Sequence, residues 1–294
     1  MIKPLVSICI PTFNGATYIA ETMESALAQT YTNLEIVVSD DASKDDTLEI
    51  VEGYKAKTKT PIYIYHHQPR GIGANWNHCV KQAKGKYIKF LFQDDVLLPI
   101  CVEEMVKVIE SKKGLGLVAC KREFIISFEN ETSELQEWLK KYGDLQKNIA
   151  YYKQNDGNAM VLDKSIFKSP TFLMSPLNKI GEPTTFIFRK NLIDKVGWFR
   201  EDLKQVLDYE FCNRILKQEE IVIINVALCK FRLHSNQATQ LNKGKDAADY
   251  TTYFELIEND YFWYLGRKKQ LQLLRKRYRW LDKVFRLKSK LWRR

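Results

Sequence analysis

The first 120 residues alternate between short apolar runs and stretches in which apolar residues recur at helical spacing. The apolar runs, at 5–10, 34–39, 62–66, 86–92 and 115–120, have the length and β-branched content of buried strands. The intervening stretches, 18–29, 47–57, 73–83 and 99–111, carry helical spacing, and residues 43–46 (SKDD) resemble a capping box before the second helix. This repeated order predicts an α/β fold with a mostly parallel sheet flanked by helices.

The alternation stops between residues 121 and 181, where the chain becomes polar with scattered aromatic residues. A structureless loop of that length is uncommon in a compact domain, so we expect small helices and loops inserted over the sheet. Strand-like residues 182–189, helical residues 206–218 and strand-like residues 221–228 follow. Apolar residues are 45% and charged residues 28% of the chain, which excludes disordered, collagen-like and coiled-coil classes.

Acidic residues follow two of the predicted strands. Asp40 and Asp41 come at the end of the second strand, and Asp94 and Asp95 follow the fourth. Parallel strands present their carboxyl ends to one crevice, so both pairs are expected there. Such acids accept hydrogen bonds from a base or ribose, or bind a hard divalent cation. The alternative is that each aspartate only caps a turn or a helix.

The first strand is not followed by a glycine-rich phosphate loop. Residues 11–15 read PTFNG, which matches neither GxGxxG nor a P-loop. This observation disfavours a dinucleotide-dependent dehydrogenase and an ATPase. It favours a diphosphate held by a metal ion instead of by backbone N–H groups.

Two motifs carry a family resemblance. Residues 7–47 (SICIPTFNGATYIAETMESALAQTYTNLEIVVSDDASKDDT) and 83–95 (AKGKYIKFLFQDD) resemble the family 2 glycosyltransferases, which are inverting enzymes with the Rossmann-like GT-A fold. The resemblance is dense through residue 120. It is thinner but in the same order over 178–239, through GEPTTFIFR, LDYEFCNR and FRLHSNQAT.

The resemblance implies a role for each matching residue. It makes Asp208 the general base, with helix capping as the alternative, and it implies Mn²⁺ or Mg²⁺ bound by Asp95 and His234. Trp76 stands where many members have an arginine, so Arg70 is expected to take over the phosphate contact, and core packing is the other reading of Trp76. Donor contacts are implied for Pro11, Thr12, Asn14, Asp41, Arg70 and Asp94, and acceptor-side contacts for Glu182, Thr184 and Glu210.

The C-terminal segment carries the positive charge of the chain. Residues 267–294 contain thirteen Lys or Arg and one Asp, a net +12, whereas the whole chain has +10. Apolar residues at 271, 274, 278, 281 and 285 share one helix face, with Trp263, Trp280 and Trp292 as aromatic additions. A basic amphipathic helix of this kind is expected to lie on an anionic membrane surface. The alternatives are packing on the catalytic domain or pairing with another subunit; no nucleic-acid-binding motif accompanies the charge.

The expected organisation has two parts. A catalytic domain covers 1–245, with a nucleotide-sugar half at about 1–120 and an acceptor half at 121–245, and a basic helical extension covers 246–294. Six cysteines without CxxC spacing indicate a reducing compartment, and the N-terminus lacks a signal-peptide pattern. We expect a cytoplasmic protein, peripheral on the inner face of the membrane, with homo-oligomerisation left open.

The resemblance implies transfer of a sugar from a nucleotide sugar, with UDP as the expected carrier, to a glycan or lipid-linked acceptor in cell-surface polysaccharide synthesis. Two alternatives stay open. A sugar nucleotidyltransferase would need a glycine-rich basic loop, which residues 11–15 lack. A catalytically inactive relative acting as a membrane scaffold would not need its acidic residues.

Overall fold

A computed structural model describes residues 3–126, 132–149, 153–155, 159–235, 237 and 247–278. Within these residues ten strands form one sheet in the order β3-β2-β1-β4-β9-β6-β10-β8-β7, with β5 paired to β10. The strands are β1 Val6–Thr12, β2 Leu34–Asp40, β3 Ile62–His66, β4 Tyr87–Phe90, β5 Val96–Leu97, β6 Leu115–Ile126, β7 Lys153–Asn155, β8 Ala159–Leu162, β9 Phe186–Arg189 and β10 Glu220–Leu233.

Helices cover both faces of the sheet. They are α1 Ile19–Leu27, α2 Thr47–Lys55, α3 Ile72–Gln82, α4 Cys101–Ser111, α5 Ser133–Tyr142, α6 Leu192–Val196, α7 Leu207–Leu216, α8 Ala247–Asp260 and α9 Arg267–Arg277. Strand β1 shows why two helical layers are needed, because Ile8 and Ile10 pack into one buried cluster and Cys9 packs into the other. A strand buried on both faces reads as a continuous apolar run, as residues 5–10 do.

The predicted fold class is confirmed. Strands β1, β2, β3, β4, β6 and β10 all run in one direction, and β9 runs against its neighbours β4 and β6. The carboxyl ends of these six strands therefore lie along one edge of the sheet. All six cysteines are buried and free. Among the described residues no helix is long and apolar enough to cross a bilayer.

Residues 121–181 contain strands as well as the expected helices, which are α5 and a 3-10 helix at Lys164–Lys168. Strand β6 continues six residues past Cys120, and β7 and β8 extend the far edge of the sheet by antiparallel pairing. Residues 182–189 divide into a 3-10 turn, Pro183–Thr185, and the short strand β9, because Pro183 begins a tight turn instead of a ladder.

Part of the C-terminal segment packs against the rest of the chain. Helix α8 packs into the same core as the sheet, with Tyr253 buried and its hydroxyl oxygen 2.9 Å from the Asn213 amide nitrogen that donates to it. Of the predicted amphipathic helix, the structure describes the start alone, which is α9 and Tyr278. Its positions 281 and 285, with Trp280 and Trp292, lie outside the described residues.

Candidate active site

A cavity of about 370 Å³ opens at the carboxyl edge of the sheet. This volume is within the range of small-molecule sites. Its walls come from the segments after β1, β2, β4 and β10, from the first turns of α3 and α7, and from the turn before β9. Seven of the twelve expected site residues line it: Pro11, Thr12, Asp41, Asp94, Glu182, Asp208 and His234. The other five, Asn14, Arg70, Asp95, Thr184 and Glu210, are not among its lining residues.

The two aspartates after β2 have different environments. Asp40 is buried, and its carboxylate accepts hydrogen bonds from the Thr12 hydroxyl at 3.0 Å and the Ser43 amide at 2.9 Å. Asp41 lines the cavity instead, and its Oδ1 lies 2.7 Å from Nδ1 of His67. Ala42 has a φ of +63°, a left-handed conformation that is costly for alanine. Asp40 thus holds the turn that presents Asp41 to the cavity.

Asn14 joins two loops and does not face the cavity. Its φ of +48° is left-handed, its side-chain oxygen accepts from the Lys44 amide at 2.8 Å, and its own amide donates to the Ser43 hydroxyl at 2.9 Å. Asn14 therefore links the loop after β1 to the loop after β2. Ser43 does not cap α2 either, since the carboxylate that accepts from the Thr47 amide, at 3.1 Å, belongs to Asp45.

Asp94 and Asp95 also have different environments. The carboxylate of Asp94 lies 2.9 Å from Nε2 of His234, and both side chains line the cavity. Asp95 is buried and accepts from the Thr184 hydroxyl at 2.5 Å and the Arg232 amide at 3.0 Å. Burial and the neighbouring Asp94 charge raise the pKa of Asp95 well above its ordinary value. Asp94 is therefore the member of the pair that lines the cavity, and the Thr184 hydroxyl is engaged by Asp95.

Asp208 occupies the first turn of α7, where its side chain is almost fully buried at the cavity wall. Its Oδ2 accepts a hydrogen bond from the Asn178 amide at 2.9 Å, and its Oδ1 is buried without a partner among the described residues. Burial raises the pKa of Asp208 to about 7, and the nearby Glu182 charge adds to the rise. A carboxylate with that pKa and one free oxygen is suited to take a proton near neutral pH.

The two glutamates expected on the acceptor side have arginine partners. Glu182 lines the cavity, with its carboxylate 3.1 Å from Nε of the buried Arg122. Glu210 is on α7, two residues past Asp208, and its carboxylate pairs at 2.8 Å with Arg214 one turn further on. Because residues two apart on a helix point in different directions, Glu210 faces away from the cavity.

Trp76 lies at the cavity, whereas Arg70 lies outside it. Trp76 lines the cavity and packs against Phe92 and Phe199 at ring distances of 5.1 and 5.4 Å, so core packing describes most of its contacts. Arg70 is exposed and does not line the cavity, although its neighbour Gly71 does.

The structure adds site residues that the sequence did not indicate. Lys204 and Gln205 line the cavity, and both of their backbone amides donate to one carboxylate oxygen of Asp249, at 2.6 Å each. Asn178, which holds Asp208, is itself fixed by accepting from the amides at 180 and 181. No local pattern predicts the contact of Asn178 with Asp208 or those of Asp249 with the two amides, because these partners are 30 to 45 residues apart.

Two side chains at the cavity are of the types that ligate a divalent ion. Among the residues that can be described, no group of three or more His, Cys, Asp or Glu side chains is arranged to hold a metal. The Asp94 carboxylate and the His234 imidazole do face the cavity together, and manganese accepts both donor types. Two protein ligands suffice where substrate phosphates and water complete the coordination.

Solved structures define the class of fold. S. aureus TarS 1–349, solved in complex with UDP-GlcNAc, superimposes with a TM-score of 0.59 at 19% identity, over 92% of this chain and 78% of that one. The mannosyltransferase PcManGT from Pyrobaculum calidifontis, solved with GDP-Man and Mn²⁺, gives a TM-score of 0.60 at 18% identity, over 82% of this chain and 61% of that one. The fold is that of the GT-A transferases.

Sequence comparison identifies the family. The model described as "Glycosyl transferase family 2" matches residues 7–196, and the chain belongs to that family. A Rickettsia prowazekii protein described as an uncharacterized glycosyltransferase is 32% identical over 238 residues, which is 81% of this chain and 66% of the relative. The chain thus spans just under two thirds of the length of that curated relative.

Proposed function

We propose that the protein is an inverting, metal-dependent glycosyltransferase that moves a sugar from a nucleotide sugar, with UDP as carrier, to a glycan or lipid-linked acceptor in cell-surface polysaccharide synthesis. The observation that carries the proposal is the free, buried Oδ1 of Asp208. Asp208, the residue that carries this oxygen, lines the same cavity as Asp41, Asp94 and His234. The proposed general base and the proposed nucleotide-binding residues therefore line one cavity.

The proposed reaction is a single displacement. The acceptor hydroxyl oxygen attacks the anomeric carbon, the bond from that carbon to the diphosphate oxygen breaks, and the hydroxyl proton passes to Oδ1 of Asp208. A single base opposite the leaving group inverts the anomeric carbon without a covalent enzyme intermediate. Because the Asn178 amide donates to Oδ2, Oδ1 is the oxygen proposed to receive the proton.

The remaining cavity residues bind and orient the donor. Asp41 accepts a hydrogen bond from the nucleobase, while Pro11 and Thr12 form the adjoining wall. Lys204 supplies positive charge for the departing diphosphate. When bound by Asp94 and His234, a divalent ion neutralises charge on the leaving group.

A thermal-shift panel tests donor and metal together. The chain is heated with UDP-, GDP- and CMP-linked sugars, each with Mn²⁺ or with a chelator. A ligand at 100 times its Kd stabilises the native state by about 2.7 kcal/mol, which raises the Tm by roughly 5–10 °C. We expect that rise with a nucleotide sugar and Mn²⁺, and inversion of the anomeric centre in the transfer product. No rise with any donor would contradict the proposal.

We also propose that residues 267–294 bring the protein to the inner face of the cell membrane. Six of the eleven residues of α9 are basic, and Leu271 and Tyr278 are exposed. Trp263, just before this helix, is 84% exposed, an unusual environment for a tryptophan outside an interface. Leu273 packs against the core, so one side of α9 is anchored, while Arg267 and Lys268 at its start are exposed and can meet anionic lipid.

A further inference from the structure

A pair of side chains from neighbouring strands lies at the nucleotide side of the cavity. Asp41 follows β2, and His67 follows β3, which pairs with β2. The backbone amide of His67 donates to the Asp40 carbonyl at 2.7 Å, so the ladder continues to this point and sets the two residues side by side. Nδ1 of His67 then lies 2.7 Å from Oδ1 of Asp41. The side chain of His67 is only 7% exposed, and Asp41 is the member of the pair that lines the cavity.

We propose that His67 is a positioning residue that holds Asp41 as a hydrogen-bond acceptor, so that the site selects nucleobases carrying a ring N–H. The inference rests on the proposed function, in which the donor nucleotide occupies this cavity. It adds to that function a second residue behind the base contact and a chemical class of base.

The direction of the hydrogen bond follows from the partners. An ionised carboxylate has only acceptors, so the imidazole must supply the proton from Nδ1. This bond occupies Oδ1 of Asp41. Oδ2 makes no hydrogen bond within the part of the chain that the structure describes, and it is the acceptor left for a ligand.

An acceptor at this position distinguishes between bases. Uracil N3 and guanine N1 carry hydrogen and donate to a carboxylate. Cytosine N3 and adenine N1 carry lone pairs at the corresponding position, which the carboxylate repels, so these bases can donate only through the exocyclic amino group beside it. A carboxylate that rotated freely would still accept this hydrogen bond. Each binding event would then include the entropic cost of ordering the side chain.

A second set of hydrogen bonds fixes the ring against which His67 packs. His78 lies with its ring centroid 5.0 Å from that of His67. The Ser39 hydroxyl donates to the Asn75 side-chain oxygen at 2.6 Å, so it accepts from Nδ1 of His78 at 2.7 Å. The Gln82 amide lies 3.1 Å from Nε2 and donates to it. These bonds orient the His78 ring and define it as the neutral form, and the run ends at Asn75 on the cavity wall.

Two substitutions separate positioning from packing. In His67→Asn, the amide nitrogen occupies the place of Nδ1 and keeps a donor for Asp41. His67→Leu keeps a similar bulk and has no donor. His66→Leu is the matched control, because His66 is the exposed neighbour at the end of β3. Binding of UDP, GDP, CDP and ADP to the full chain in Mn²⁺ is measured by calorimetry, with the Tm of each variant recorded.

The unsubstituted chain should bind UDP or GDP at least tenfold more tightly than CDP and ADP. We expect His67→Leu to weaken the favoured nucleotide about 10- to 100-fold, the size expected for a hydrogen bond to a charged group, with little change for CDP and ADP. His67→Asn should stay within about threefold of the parent. In transfer assays His67→Leu should raise the donor KM more than it lowers kcat.

Three results would overturn the inference. The first is equal binding of all four nucleotides by the unsubstituted chain. The second is an equal loss in the Asn and Leu variants, which indicates packing alone. The third is an unchanged base preference in His67→Leu. If the unsubstituted chain binds no nucleotide, the proposed function fails as well, and that outcome is distinct from the other three.

Discussion

Replacing Asp208 by asparagine is expected to remove transfer activity and to stabilise the fold. The removal of a general base costs typically 10²- to 10⁴-fold in rate. The same change removes a buried carboxyl whose pKa is raised to about 7. Each pKa unit corresponds to about 1.4 kcal/mol, so at pH above 7 the ionised carboxylate destabilises the native state by about 4 kcal/mol.

The sign of the pH dependence follows from the raised pKa. Below about pH 4 the carboxyl is protonated in both folded and unfolded chains, and it contributes no difference. As the pH rises towards 7 only the unfolded chain ionises freely, so the penalty grows and is complete above pH 7. The Asp208→Asn protein should therefore match the parent Tm near pH 4 and exceed it by several degrees at pH 8.

The assay combines thermal unfolding with a pH–rate profile. The activity of the parent should rise about tenfold per pH unit below pH 7 and then level off, since the base must be ionised. Asp194→Asn, an exposed carboxylate on α6, serves as the control and should change neither measurement. An Asp208→Asn protein that kept full activity, or that was destabilised at pH 8, would refute the reasoning.

Three further expectations concern other parts of the molecule. Asn178→Asp keeps the acceptor for the loop amides but removes the donor to Asp208, so the pH–rate midpoint should move upward; a midpoint that stays in place would exclude the orienting role. Asp94→Asn should abolish the extra rise in Tm that Mn²⁺ adds to UDP binding, whereas Asp95→Asn should retain it, and the reverse pattern would restore the original assignment. Removal of 267–294 should abolish sedimentation with anionic vesicles, and equal sedimentation of both proteins would count against a membrane role.

The alternating half of the fold could be predicted closely from the sequence. Strand β3 has the predicted bounds, and the other early strands begin or end within two residues of expectation, because a strand buried on both faces needs a continuous apolar run. Strand β8, only four residues long, lies in a polar segment and pairs with β10 far along the chain. Its apolar run, AMVL, is too short to distinguish a strand from a turn of helix.

The sequence predicted the residue types at the candidate site better than it predicted which individual residue faces the cavity. Two adjacent aspartates, Asp94 and Asp95, are equivalent in a sequence pattern. Which carboxylate faces the cavity depends on the backbone after β4 and on the contacts that Arg232 and Thr184 make with Asp95. Likewise, the partner of Asp208 is Asn178, and tertiary packing alone brings the two together.

The contact between Asp249 and the amides of Lys204 and Gln205 has a practical consequence. A shortened protein ending at residue 245 would retain every motif of the family yet lose the carboxylate that shapes the loop beside Asp208. Two N–H groups would lose their acceptor, and Tyr253 would leave a gap against α7. Any minimal enzyme made from this chain should therefore keep α8.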